Sequence, residues 1–258
     1  TPLSHRNMII NGAMQVAQRG TSFTGVGNGD NAYYLDRFEF IESGSPNGEF
    51  TITQSTDAPN GFGNSMKLDC TTAESALATS ERIRLRQRIE GQNLQVLKKG
   101  TSDAEKVTLS FYVKSNLTGT AIVSLYDNDN SRHIAKSYTI DSANTWERKT
   151  ITFEGDTTGT LDNDNAVSIE VRFHLQAGSD YTSGTLATSW ASFTDANSAV
   201  GQTINIASST DNEFFITGIQ LELGSVATPF EHRSYADELR RCQRYYYKRS
   251  STHGQYLG

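Results

Sequence analysis

The most chemically loaded stretch is Arg82 to Glu90, RIRLRQRIE. Read as a strand, it turns Ile83, Leu85 and Ile89 to one side and Arg82, Arg84, Arg86 and Arg88 to the other. Four guanidiniums on one strand face demand carboxylates, solvent or a ligand. Acids such as Glu147, Glu154 or Glu170 supply one answer, a cross-strand ladder. An anion-recognising face for a sulfated or acidic glycan, or for a partner chain, is the other.

Sugar recognition also needs aromatic rings that stack on sugar faces. Trp190 and Tyr181, and the pair Tyr33–Tyr34 after an Asn-Gly-Asp-Asn loop, are the candidates, with burial in the core or an interface as the plainer role. Two Asp-Asn-Asp-Asn tetrads, at 127–130 and 162–165, offer oxygens to Ca²⁺. Neither extends to an EF-hand loop, and Asx-rich turns explain both without metal, so no cofactor is expected and calcium is disfavoured. The histidines (His5, His133, His174, His232, His253) have no HExxH spacing, and neither GxSxG nor a P-loop occurs. No catalytic residue is assigned and the chain reads as non-enzymatic. A glycosidase-type carboxylate pair forms only in the fold, so polysaccharide cleavage stays open as an alternative.

These groups must be held by strands. Ser65–Cys70, Val107–Lys114, Thr120–Tyr126, Trp146–Glu154 and Val167–Leu175 alternate apolar and polar residues, as do Tyr33–Ile41 and Glu49–Gln54 more loosely. Phe214 to Arg233 organises the rest: Phe215, Thr217, Ile219, Leu221 and Leu223 share a face, predicting a half-buried late strand that must pair with something made much earlier. Arg19–Asn31 reads as a loop, and 178–209 as a long connection suited to binding, to oligomer contact or to irregular strands. About ten antiparallel strands without a βαβ rhythm predict an all-β, two-sheet jelly-roll sandwich over 1–233. A C-terminal helix and tail follow over 234–258. Its helix opens on a Ser234/Asp237 capping pattern, with Tyr235, Leu239, Cys242 and Tyr246 as the apolar stripe.

With 258 residues, 36% of them hydrophobic, the chain can bury a core. A net charge of −6 argues against a nucleic-acid partner. No apolar run of membrane-spanning length occurs, so no membrane insertion is expected. Cys70 and Cys242 read as free thiols. The start at Thr1 reads as a fragment or processed piece.

Two stretches carry a resemblance. NMIINGAMQVAQRGTS (Asn7–Ser22), followed by LDRFEF (Leu35–Phe40), and the closing ITGIQLELGSVATPFEHRSYADELRRCQRYYYK (Ile216–Lys248) resemble a domain of bacteriophage tail-fibre and other virion receptor-binding proteins. The resemblance implies a virion location on a tail fibre or other surface appendage, a host surface glycan and other virion subunits as partners, and a homotrimer. A virion assembly or connector domain that binds no sugar is the alternative. The strand order is also similar to jelly-roll carbohydrate-binding modules, with an opening Asn-Gly, a central SFYVKS strand (Ser110–Ser115) and a Trp-opened strand at Trp146. Such modules often hold calcium on acids near the opening and closing strands. The matching neighbourhoods here, Ala13-Met14-Gln15 and Thr217-Gly218, carry no carboxylate.

Overall fold

The computed structural model describes residues 5–27 and 29–248; Asn28, His253 and the expected tail beyond 248 lie outside the described residues. Alternation along the strands produces two antiparallel sheets packed face to face, as a jelly roll requires. The first sheet has the order β1 (Ser22–Gly27), β4 (Glu49–Ser55), β5 (Ser65–Thr72), β13 (Glu213–Leu223), β7 (Val107–Ser115) and β10 (Glu147–Phe153). The second runs β12 (Ala191–Ser192), β9 (Arg132–Ile140), β8 (Gly119–Asp127), β11 (Val167–Ala177), β6 (Arg82–Glu90), β3 (Glu39–Ser43) and β2 (Asn31–Tyr33).

Between the sheets the inward residues interdigitate. Phe111 of β7 meets Phe173 of β11 edge-on at 5.1 Å, and Phe40 of β3 meets Phe50 of β4 at 5.7 Å. Met66, Leu68 and Cys70 of β5 and Ala121, Val123 and Leu125 of β8 complete the same core, on the faces their alternation predicts. The Phe, Met, Leu and Val side chains among them each contribute roughly 1.5–3 kcal/mol by leaving water.

The late strand β13 departs from expectation in two ways. It lies between β5 and β7 and is covered on both faces, so even Gln220 and Glu222 are buried. Its phase also switches. Phe214 and Ile216 reach the core before Gly218, and Ile219 and Leu221 after it, whereas Phe215 turns outward onto Trp146. The cause is a bulge: Gly218 sits at φ +62° and the ladder to β7 slips between Thr217 and Gln220. A Cβ at Gly218 would lie 2.8 Å from the Phe62 ring, so glycine is required there.

Strand β1 lies within the stretch read as loop, β2 and β3 divide the strand expected over Tyr33–Ile41, β9 was not anticipated, and β12 is a short strand of the irregular kind expected in 178–209. The connection 178–209 carries α1 (Ser179–Thr182), β12 and a 3-10 turn at Asp195–Asn197. It folds back onto the outer side of the second sheet, where Phe193 packs on Tyr126 and His133 at about 5 Å. A second helix, α2 (Tyr235–Gln243), starts at Ser234, whose Oγ accepts the Asp237 N–H at 3.2 Å. Its buried residues are Glu238 and Cys242, while Tyr235 is 56% exposed, so the apolar stripe expected through Tyr235 is displaced round the helix. No helix among the described residues is long and apolar enough to cross a membrane.

Candidate functional site

The arginine row of β6 lies between β3 and β11, and register decides each partner. Arg86 stands opposite Glu39 and Arg172, and Arg88 opposite Glu170. Arg86 donates Nε to Glu39 at 2.7 Å and Nη1 to Glu170 at 3.0 Å. Arg172 donates Nε to Glu170 at 2.7 Å while its guanidinium lies 3.8 Å over the Tyr126 ring. Burial pushes the Glu170 carboxyl up, but Arg172 and Arg86 outweigh it and hold the group below the usual carboxylate range. Of the three acids expected opposite the row, Glu170 is there. Glu147 instead holds Lys149, and Glu154 holds Lys106. Glu39, on a neighbouring strand, supplies the second acid.

The remaining two arginines differ. Arg82 reaches Asp195 of the long connection at 2.8 Å and lies 4.0 Å over the Tyr181 ring. Arg84 is 3% exposed, has no carboxylate within ion-pair distance among the described residues, and its Nε has no acceptor. Burial, then Arg82, Arg172 and Arg86, push its pKa well below the ordinary value. Beside it His174 gives only Nε2 to Ser124, at 3.1 Å, and is likewise pushed far down by burial and by Arg84.

The aromatic candidates do not converge. Tyr34 is buried with its hydroxyl on Asp30 at 3.1 Å, and Tyr181 is buried with its hydroxyl on the Ser80 carbonyl at 3.0 Å. Trp190, half-buried, donates Nε1 to the Glu154 carbonyl at 2.7 Å. Tyr33, also half-buried, lies on β2, at the opposite edge of the second sheet from Trp190 beside β12. The Asp-Asn tetrads meet each other, Asp129 accepting the Asp162 N–H at 3.0 Å. The Asp127 carboxylate is occupied by the Lys99 ammonium at 2.6 Å, which also reaches Asp156 and the carbonyls of Thr158 and Gly159. An ammonium thus fills the oxygen cage that a cation would otherwise seek.

What the sequence did not disclose is the joint at the other side of the molecule. Strand β5 leaves β13 after Ile216, and Asn7–Gly12 takes the vacant edge: Met8 N–H donates to Leu221 O at 2.9 Å and Ile219 N–H to Gly12 O at 3.0 Å. Asn7 locks the seam, its Oδ1 accepting Leu221 N–H at 3.0 Å and its Nδ2 donating to Ile219 O at 3.0 Å. The approach is so close that a Cβ on Gly12 would fall 2.1 Å from the Ile219 carbonyl oxygen. The closing segment then clasps this one. Glu231 accepts the Asn7 N–H at 2.8 Å, Arg233 donates to the Ile9 carbonyl at 3.1 Å, and Glu238 of α2 accepts the Asn11 N–H. Arg19 and Arg37 lie 3.6 and 3.4 Å over the rings of Tyr246 and Tyr245.

Beside this joint opens a groove of about 580 Å³, within the usual size of a ligand site. Met8, Ile10, Ile89 and Leu223 give it an aliphatic lining, with exposed Val96 and Val226 at its margin. Four arginines line it: Arg6, Arg37, Arg88 and Arg241. Glu222 is the one acid in the lining, and it is already capped by Thr228 and Gln220 at 2.7–2.9 Å. Arg88 is thus shared between the expected row and this groove, with its side chain 38% exposed and 3.5 and 3.6 Å from Glu39 and Glu170. Arg6, Arg37 and Arg241 have no carboxylate within ion-pair distance among the described residues. In the sequence Arg37 is one of three charges in Leu35 to Phe40, LDRFEF, and nothing there singles it out from Asp36 and Glu39.

No protein-family model and no curated protein sequence matches the chain. Solved structures with similar strand arrangements include the enzymatically active domain of tailspike protein 4 from bacteriophage CBA120, 14% identical over 78% of this chain, with a TM-score of 0.39. The match spans only 21% of the tailspike chain. A family 11 carbohydrate-binding module from Clostridium thermocellum, in complex with a β-1,3-1,4-mixed-linked tetrasaccharide, is 14% identical over 81% of this chain and 98% of its own, with a TM-score of 0.39. The module TmCBM61, in complex with β-1,4-galactotriose, is 11% identical over 85% and 99% of the two chains, with a TM-score of 0.38. At these values the likenesses assign no activity to the chain.

Proposed function

We propose that this chain is an attachment domain of a virion fibre, of the phage tail-fibre type, which recognises host-surface carbohydrate by binding and works as a homotrimer. One observation carries the reading. The two stretches that resemble virion receptor-binding proteins, whose contacting residues lie as much as 228 positions apart, interlock as one unit on a jelly-roll sandwich. A rigid module whose ends are fastened together suits a binding surface carried on a fibre. Trp190, Tyr33 and Arg88 keep part of their side chains accessible and are the residues proposed to touch sugar, Trp190 and Tyr33 as separate contacts at opposite edges of the second sheet. Tyr34, Tyr181, Arg84 and Arg86 are committed to internal packing and support that face from below.

The test is a glycan array probed with the purified chain. Retention of a restricted set of surface glycans is expected, weakened roughly tenfold or more by Trp190→Ala, the scale of losing one ring-stacking contact. Absence of retention on every glycan, with tight binding to purified neighbouring virion proteins, would establish the second reading, a connector domain. That reading is favoured by the placement of the resembling stretches in a joint rather than on an open face.

A further inference from the structure

The groove beside the joint holds a charge arrangement that the chain itself does not neutralise. Arg37 is 7% exposed and its Nε has no acceptor. Its Nη2 donates to the Arg88 carbonyl and its guanidinium covers the Tyr245 ring at 3.4 Å, but among the described residues no carboxylate meets it. A buried guanidinium without a counter-charge is costly, and this one also sits in the left-handed region at φ +73°. Strain and unpaired charge at one residue, in the wall of a cavity, mark a position kept for something that binds.

The lining narrows the chemistry. Sugars seek open aromatic faces, and the ring of Tyr245 in this groove already carries Arg37. A peptide adding as a strand needs a free sheet edge, yet β7 and Asn7–Gly12 already flank β13 here. What remains is an aliphatic wall of Met8, Ile10, Ile89 and Leu223 beneath arginine donors. We infer that this groove binds an anionic amphiphile, a carboxylate or phosphate head on an aliphatic chain. The head lies among Arg37, Arg88 and Arg241, and the chain lies along the aliphatic wall. This site shares Arg88 with the proposed sugar contacts but includes neither Trp190 nor Tyr33.

Calorimetric titration of the whole chain with decanoate, decyl phosphate and decanol tests the inference. One anion per chain is expected, weakened by added salt, with decanol bound roughly tenfold or more weakly, the scale of one charge-assisted hydrogen bond. Comparing decanoate with decyl phosphate identifies the preferred head. Arg37→Gln should lose both anions, and Arg241→Gln, on a less buried side chain, should weaken both while thermal unfolding shows each variant folded. Equal binding of decanol, several anions per chain, or decanoate and decyl phosphate affinities unchanged in folded Arg37→Gln or Arg241→Gln would overturn the assignment. So would no binding of either anion, or displacement-free binding of an acidic peptide at the same residues.

Discussion

Two groups of arginines lie within one molecule and are treated in opposite ways. On the outer side of the second sheet, Arg86 and Arg172 are buried but converge on Glu39 and Glu170 with hydrogen bonds of 2.7–3.0 Å. In the groove, Arg37 is equally buried and meets a tyrosine ring and a backbone carbonyl, with no acid among the described residues. The difference teaches that the residue type alone does not mark a binding face. A guanidinium whose charge the chain neutralises is part of the architecture; one left without a counter-charge is open to a ligand where it borders a cavity, as Arg37 does in the groove wall, whereas Arg84, equally unpaired, stands between Ile41 and His174 within the sheet. Arg88 borders both groups and belongs to each in part.

Substitutions can break or sharpen this contrast. The largest effect belongs to Arg86→Ala, which leaves buried Glu39 with only Arg88 at 3.5 Å and Glu170 with Arg172 and the more distant Arg88; a loss of about 3–5 kcal/mol in urea unfolding is expected. A loss below about 1 kcal/mol would mean that the network contributes little to folding. Next comes Glu42, the reverse case, a buried acid without a cation. Burial pushes its pKa up to about 7, partly countered by the Gly29 N–H and helped by Asp30 and Glu74. A pKa raised in the folded state favours the protonated form. Its contribution is therefore complete below the usual value near 4.5 and is lost as pH rises through about 7. Between those limits the loss is roughly 2–4 kcal/mol, and Glu42→Gln should flatten that part of the stability–pH curve. An unchanged slope would remove Glu42 from the account.

Glu231→Ala tests the joint. It leaves the Asn7 N–H and Arg233 without their acceptor, and about 1–3 kcal/mol should be lost, with faster amide exchange concentrated at Asn7–Asn11. The smallest effect is expected at Arg37. Arg37→Leu removes an unneutralised buried charge, so stability should change by less than about 1 kcal/mol or rise. A large loss there would place Arg37 with the architectural arginines and remove the contrast.

The sandwich was readable because its central strands keep a strict two-residue period over their whole length, as in β7, β8 and β11. Glu170 was one of three acids that the alternation made available, and only the pairing of β11 with β6 singles it out from Glu147 and Glu154. Three things escaped. Strand β1 is rich in Gly, and its pairing comes from neighbours rather than from propensity. The bulge at Gly218 reverses the in–out order of β13 midway, which a simple alternation pattern misassigns. The joint and groove rest on contacts between residues more than two hundred positions apart, such as Asn7 with Glu231 and Asn11 with Glu238, which no local pattern encodes. The stripe on α2 was misplaced because the helix docks through a polar residue, Glu238, onto a backbone N–H.

The clasp has a mechanical corollary. His5 and Arg241 lie in hydrogen-bond contact at 2.9 Å, so the start of the described chain lies against α2 near its other end. Tension between those ends would be borne first by Glu231, Arg233 and Glu238, while the long ladders of both sheets stayed slack. A pull applied there reaches the strands of the sandwich only after that fastening yields.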